Sequence, residues 1–161
     1  MADQNKRKRL GEILVDMGII TQDQVEAALK IQKQEGGLLG AVLIKMKFVT
    51  ESDIAIALAK QNSIPYIPVN VCEINKTILK LVDASYALAK RCIPLDRIAK
   101  VLLVVCADPT QQYIVTDIEE KTGLRVQLLI GVEGEIIQAI RKWYGIKDDN
   151  VFLSGEAEKK K

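Results

Sequence analysis

Histidine is missing altogether from these 161 residues. Its absence removes the commonest general base and the commonest metal ligand. The phosphate-binding signature GxxxxGK[ST] is missing too. The glycine-bearing stretch KQEGGLLG, Lys33 to Gly40, has neither the following lysine nor the preceding strand of such a loop. No run of 18 apolar residues occurs, so no membrane-spanning helix is predicted. The opening MADQNKRKR leads into an amphipathic pattern and not an uninterrupted apolar core, which reads as no secretory signal. A net charge of +2 gives no field suited to DNA or RNA. The three cysteines, Cys72, Cys92 and Cys106, are odd in number and lack CxxC spacing. They read as reduced, mostly buried thiols of a cytoplasmic protein. With 27% charged residues, scattered carboxylates are most simply a solvated surface. The sum of these absences reads as no enzyme, no metal and no cofactor.

What is present is a pattern written twice. Arg9 to Gln32 reads RLGEILVDMGIITQDQVEAALKIQ, and Leu38 to Gln61 reads LLGAVLIKMKFVTESDIAIALAKQ. A shift of 29 positions sets Leu10 on Leu39, Gly11 on Gly40, Leu14 on Leu43 and Thr21 on Thr50. It also sets Val25 on Ile54, Leu29 on Leu58 and Gln32 on Gln61. A repeat of this period is one helix–turn–helix unit, and two such units bury a shared face. Thr21 with Gln24, and Thr50 with Asp53, predict a capped helix start in each copy. The apolar spacing after each cap is helical and ends on a glutamine, whose amide needs partners or water. Gly11 and Gly40 fall inside the first helix of each copy, where glycine costs about 1 kcal/mol against alanine. Using it twice suggests the close approach of another backbone or a ligand. Two departures stand out: Leu38 has the place of Arg9, and Lys47 has the place of the helix-ending Gly18.

The run RLGxxLVxxGxIT…ALxxQ, a five-residue spacer and a second LGxxL…ALxxQ resemble the MshEN domain. That domain opens the type II secretion and type IV pilus assembly ATPases and binds cyclic di-GMP through this tandem motif. The resemblance implies a bacterial regulatory, signalling domain whose ligand contacts are Arg9, Leu10, Gly11, Leu14, Val25, Leu29 and Gln32. It implies Leu39, Gly40, Leu43, Ile54, Leu58 and Gln61 from the second copy, and it makes Asp108 plausible as a group that closes the site. A guanidinium at Arg9 stacks on guanine and reaches a phosphate oxygen. The apolar residues would pack on bases and ribose. About 300 Å² of such burial is worth about 7 kcal/mol before association costs. Helix starts near Gly11 and Gly40 would take the phosphates without many basic side chains. For Asp108 the turn chemistry of Asp-Pro-Thr is the simpler explanation. Implied partners are a secretion or pilus motor ATPase or an inner-membrane platform protein. The alternative is a docking adaptor for such a platform that binds no nucleotide.

The expected fold is α+β, a helical tandem-repeat subdomain over 1–62 followed by a β-β-α-β-α subdomain over 63–146. Pro65 and Pro68 make the boundary an extended connector. Helices are predicted over 74–81 and 84–91, strands over 92–98, 100–107 and 124–130, and helices over 111–122 and 132–144. KVLLVVCA, Lys100 to Ala107, reads as a strand buried on both faces. Residues 147–161 read as a disordered, charged tail.

Overall fold

The structure, a computed structural model, describes residues 8–146. The expected tail over 147–161 lies outside the described residues. The chain divides into two compact units at Tyr66 and Ile67, within the proline-bearing connector.

The first unit is four helices: α1 (Leu10–Asp16), α2 (Gln22–Glu35), α3 (Leu39–Lys45) and α4 (Glu51–Asn62). Each copy of the repeat contributes one short and one long helix. Both capping boxes form. Thr21 N–H donates to Gln24 Oε1 at 2.8 Å, and Gln24 N–H returns to Thr21 Oγ1 at 3.2 Å. Thr50 and Asp53 repeat the exchange at 2.9 and 3.2 Å. α1 packs on α4 and α2 on α3, so each short helix lies against the long helix of the other copy. The core of the unit centres on Ile13, Leu14, Ile20, Val25, Ala28, Val42, Leu43, Val49 and Ala57. After α1 the turn runs through Gly18 at φ +73°, and after α3 through Lys47 at φ +62°. Lys47 adopts the left-handed conformation of its glycine counterpart, a strain of roughly 1–2 kcal/mol for a residue with a Cβ. The departure from the motif therefore leaves the turn's shape intact.

The second unit begins with 3-10 turns at Val69–Val71 and Lys76–Leu81, then α5 (Ala84–Lys90). Within the helix expected over 74–81, Lys76–Leu81 takes the 3-10 form, opened by Asn75, whose side chain accepts from the Thr77 N–H. A three-stranded sheet follows, β1 (Cys92–Ile98), β2 (Val101–Cys106) and β3 (Arg125–Ile130), in the order β1-β2-β3. β1 and β2 are antiparallel. β2 and β3 are parallel, joined through α6 (Tyr113–Thr122). α7 (Glu133–Tyr144) packs on α5 and on the sheet, and α6 packs on β3. The fold is α+β, as the residue pattern implied. β2 is not buried on both faces along its length. Val101 and Leu103 are half-exposed, and their neighbour Ile98 is 62% exposed. These side chains keep surface at that end of the sheet.

Cys92 and Cys106 are cross-strand partners and fully buried. Burial pushes both thiols from 9.0 up to about 12. The native state thus holds these protons to higher pH than the unfolded chain does. The stabilisation is complete below pH 9 and is lost as pH rises toward 12. The midpoint of urea unfolding is expected to fall between pH 8 and pH 10, and less so in Cys92→Ala/Cys106→Ala. A disulfide-exchange reagent is expected to titrate only the half-exposed Cys72 in native protein and all three thiols in denaturant. Immediate reaction of all three in the native state would contradict this burial.

Candidate functional site

The two copies hold each other by their glutamines. Gln32 Nε2 donates to the Gly37 carbonyl at 2.9 Å, just before the second copy's first helix. Gln61 Nε2 donates to the Lys8 carbonyl at 3.0 Å, just before the first copy's first helix. Gln32 is the counterpart of Gln61, and Gly37 of Lys8, so the two bonds are one interaction made twice with the copies exchanged. Each amide satisfies a carbonyl at the segment that leads into Arg9 or Leu38.

The glycines show the same exchange. A Cβ on Gly11 would stand 2.9 Å from Val25 Cγ1 and 3.6 Å from Leu39 Cδ2. One on Gly40 would stand 3.4 Å from Ile54 Cγ2 and 3.5 Å from Leu10 Cδ2. The close neighbours within the protein are therefore side chains of the same and the opposite copy. Glycine is used here for helix–helix packing.

The residues expected to touch a ligand separate by burial. Leu14 and Leu43 are 0% exposed and belong to the core. Their side chains are closed off by the packing of the four helices. Apolar period alone does not say which side of the stripe is closed. Val25 is 6% exposed, and Gly11 and Gly40 are likewise buried. Surface remains at Leu10, Leu39, Ile54, Leu58, Gln32 and Gln61, all half-buried, and at Leu29, which is 37% exposed. Arg9 is exposed. Its backbone N–H donates to Glu12 Oε2 at 2.9 Å, and its guanidinium has no ion pair among the described residues. Sequence reasoning missed Glu12. The signal was its spacing of three from the residue that opens the helix.

Between α1 and α4 lies a groove of about 350 Å³, lined by Lys8, Ile13, Asp16, Met17, Lys60 and Gln61. Of the expected ligand residues only Gln61 lines it. Asp16 sits 2.6 Å from Lys8 Nζ and holds that ammonium above its ordinary 10.5 by hydrogen bond and charge.

Asp108 belongs to the second unit. Its Oδ1 accepts from the Thr110 N–H at 2.9 Å and from Thr110 Oγ1 at 2.6 Å, the geometry of an Asp-initiated turn. It does not cap α6, whose N-cap residue is Gln112 and makes no side-chain cap. Among the described residues no cluster of His, Cys, Asp or Glu is arranged to hold a metal ion. None of their helices is long and apolar enough to cross a membrane.

The chain is thus a duplicated helical unit with a half-buried apolar stripe, followed by a small mixed sheet. The chain belongs to the MshEN domain family, whose model matches residues 62–150. MshEN is an N-terminal regulatory domain without the ATPase module, and the chain covers that domain. The matched span starts at the end of α4, so it takes in the second unit and not the repeat. The repeat is reached by whole-chain comparisons. The type IV pilus assembly ATPase PilB of Myxococcus xanthus is 30% identical over 139 residues, 86% of this chain and 25% of that protein. PilB of Thermus thermophilus is 30% identical over 139 residues, 85% of this chain and 16% of that protein. Bacteriophage adsorption protein B of Escherichia coli is 28% identical over 142 residues, 88% of this chain and 19% of that protein. The chain thus spans a quarter or less of these relatives' lengths. Among solved structures, MshE with cyclic di-GMP is similar at a TM-score of 0.74 and 27% identity, over 86% of this chain and 100% of that one. The N-terminal domain of XpsE shares the fold, with a TM-score of 0.63 at 21% identity, over 84% of this chain and 93% of that one.

Proposed function

We propose that the tandem helical unit binds cyclic di-GMP and that the chain acts as the regulatory front end of a pilus or secretion motor ATPase. The observation that carries this reading is the exchange symmetry of the unit. Cyclic di-GMP has two guanines and two phosphates related by a near two-fold. The repeat offers two related surfaces, Leu10, Leu29 and Gln32 from one copy, and Leu39, Leu58 and Gln61 from the other. The likeness to MshE with cyclic di-GMP supports the same ligand.

In this reading Leu10, Leu29, Leu39, Ile54 and Leu58 pack on bases and ribose. Leu14, Val25 and Leu43 with Gly11 and Gly40 hold those side chains in place from below. Gln32 and Gln61 each spend one amide N–H on a backbone carbonyl and keep Oε1 and the second N–H for the ligand. Arg9 supplies a guanidinium, with donors for a guanine face or a phosphate oxygen. Binding regulates a motor only if the ligand's affinity differs between two states of the assembly.

Calorimetric titration of the folded chain tests the reading. Saturable binding at low micromolar Kd, about −8 kcal/mol, is expected for cyclic di-GMP and not for GTP or cyclic di-AMP. Arg9→Ala is expected to weaken it by about tenfold, the scale of one charge-assisted hydrogen bond. No heat and no thermal shift with any of the three would leave the docking-adaptor reading in its place.

A further inference from the structure

The end of the sheet away from the buried cysteines keeps apolar surface on one face. Along β2 the side chains alternate: Val101 and Leu103 are half-exposed, while Leu102 and Val104 are fully buried. Ile98 pairs with Val101 and is 62% exposed. Directly paired strand residues point to the same face, so Ile98, Val101 and Leu103 form one apolar step. A parallel pair such as β2 and β3 is ordinarily covered on both faces, and here one face leaves this step in water.

Cations stand around the step. Arg97 and Lys100 lie at the hairpin turn between β1 and β2, and Arg125 is the partner of Val101 on β3. All three are exposed, and none has an ion pair among the described residues. The acid beside them, Asp96, pairs with Leu103, and its Oδ1 accepts from the Arg97 N–H at 2.8 Å.

The edges of the sheet exclude one way of covering it. On β1, Pro94 has no N–H to give, the register slips between Pro94 and Asp96, and the Arg97 N–H is taken by Asp96. On β3, Arg125 and Gly131 turn their N–H groups to β2, so Val126, Leu128 and Ile130 face outward. The Val126 N–H donates to Glu119 Oε1 at 3.0 Å, and the Leu128 carbonyl accepts from Gln127 Nε2 at 3.0 Å. The Ile130 carbonyl accepts from the Ile67 N–H at 2.8 Å. An added strand finds no continuous ladder at either edge, so a partner meets this sheet across its face.

We propose that the step of Ile98, Val101 and Leu103 is the docking surface for an acidic amphipathic helix of a partner protein. The apolar stripe of that helix covers the step, as a helix covers a sheet within one domain. Carboxylates beside the stripe meet Arg97, Lys100 and Arg125. An anionic membrane fits less well, because Asp96 shares the face with Leu103 and is repelled by lipid phosphates. A helix can set a neutral or basic residue against it. The surface belongs to the second unit and is independent of the cyclic di-GMP reading.

Two labelled synthetic peptides decide this, each of about 18 residues, or about five helical turns. Both carry the same leucine stripe, flanked by glutamates in one and by lysines in the other. Fluorescence anisotropy with the full chain is expected to give a Kd of about 100 μM or tighter for the glutamate peptide, and at least about tenfold weaker for the lysine peptide. Lys100→Glu/Arg125→Glu is expected to reverse that order. Both positions are exposed, and circular dichroism establishes that the variant is folded. Arg97 is left in place because its Nε donates to the Ala99 carbonyl at 2.8 Å and holds the turn. Ile98→Ser is expected to weaken the glutamate peptide by about threefold to tenfold. An unchanged order of the peptides in the charge-reversed chain overturns this surface, and equal binding of both overturns the acidic partner. Sedimentation with phosphatidylglycerol vesicles, lost on charge reversal and without peptide binding, assigns the surface to a membrane and overturns the helix. Binding to neither peptides nor vesicles overturns the proposal.

Discussion

Leu14→Ala and Leu43→Ala are each expected to destabilise the tandem unit by about 2–5 kcal/mol, the cost of a cavity at a fully closed position. Both leucines are 0% exposed and sit at counterpart positions in one core of nine buried residues. That core has to stabilise a unit of some sixty residues, where total stabilities are marginal and the loss is a large fraction of the whole. Urea unfolding of the full chain followed by circular dichroism reads the effect. Leu29→Ala is the control: at 37% exposure its truncation should cost under about 1 kcal/mol while still removing ligand surface. A loss below about 1 kcal/mol at Leu14, together with weakened ligand binding, would restore it as a contact residue and undo its assignment to the core.

Gly131→Ala is expected to cost about 1–3 kcal/mol through overpacking of the second unit. A methyl there would stand 2.8 Å from both Val105 Cγ1 and Val69 Cγ2, and 3.5 Å from Ile136 Cδ1. All three neighbours are closed in, at 0, 1 and 0% exposure. The backbone cannot retreat freely either, because the Gly131 N–H donates to the Cys106 carbonyl at 3.0 Å. The residue does not have a left-handed φ, so space and not conformation demands glycine. The separating test is a double-mutant cycle with Val69→Ala, which removes one clashing methyl. The double variant should be more stable than the sum of its singles by well over 0.5 kcal/mol. Simple additivity would show that the methyl is accommodated elsewhere.

The repeat was legible because its elements are local. Thr21 with Gln24 and Thr50 with Asp53 lie three residues apart, and the boxes they form need nothing from the rest of the chain. The strands at Cys92–Ile98 and Arg125–Ile130 were readable for a similar reason, as short apolar runs between turn residues. Burial on one side of a stripe was not legible. Leu10 and Leu14 share a helix face and type, yet one keeps surface and the other keeps none, which only the packing of α1 on α4 decides. The half-exposed end of β2 escaped for the same reason, since a continuous apolar run does not record which of its side chains keep surface. Lys76–Leu81 took the tighter 3-10 form, a choice between helices of nearly equal period that residue spacing does not resolve. The roles of Gln32 and Gln61 needed three dimensions outright, because the second of them spans 53 positions.

Those glutamine bonds make the tandem unit a closed ring in everything but its covalent bonds. Passing from copy to copy, the Gln32 link to Gly37 and the Gln61 link to Lys8 are the same step forward, yet only the first is bridged by peptide. The beginning and the end of the unit consequently lie side by side, where a spacer like Lys33 to Gly37 would join them. Each closing amide has its partner on the residue that leads into the other copy.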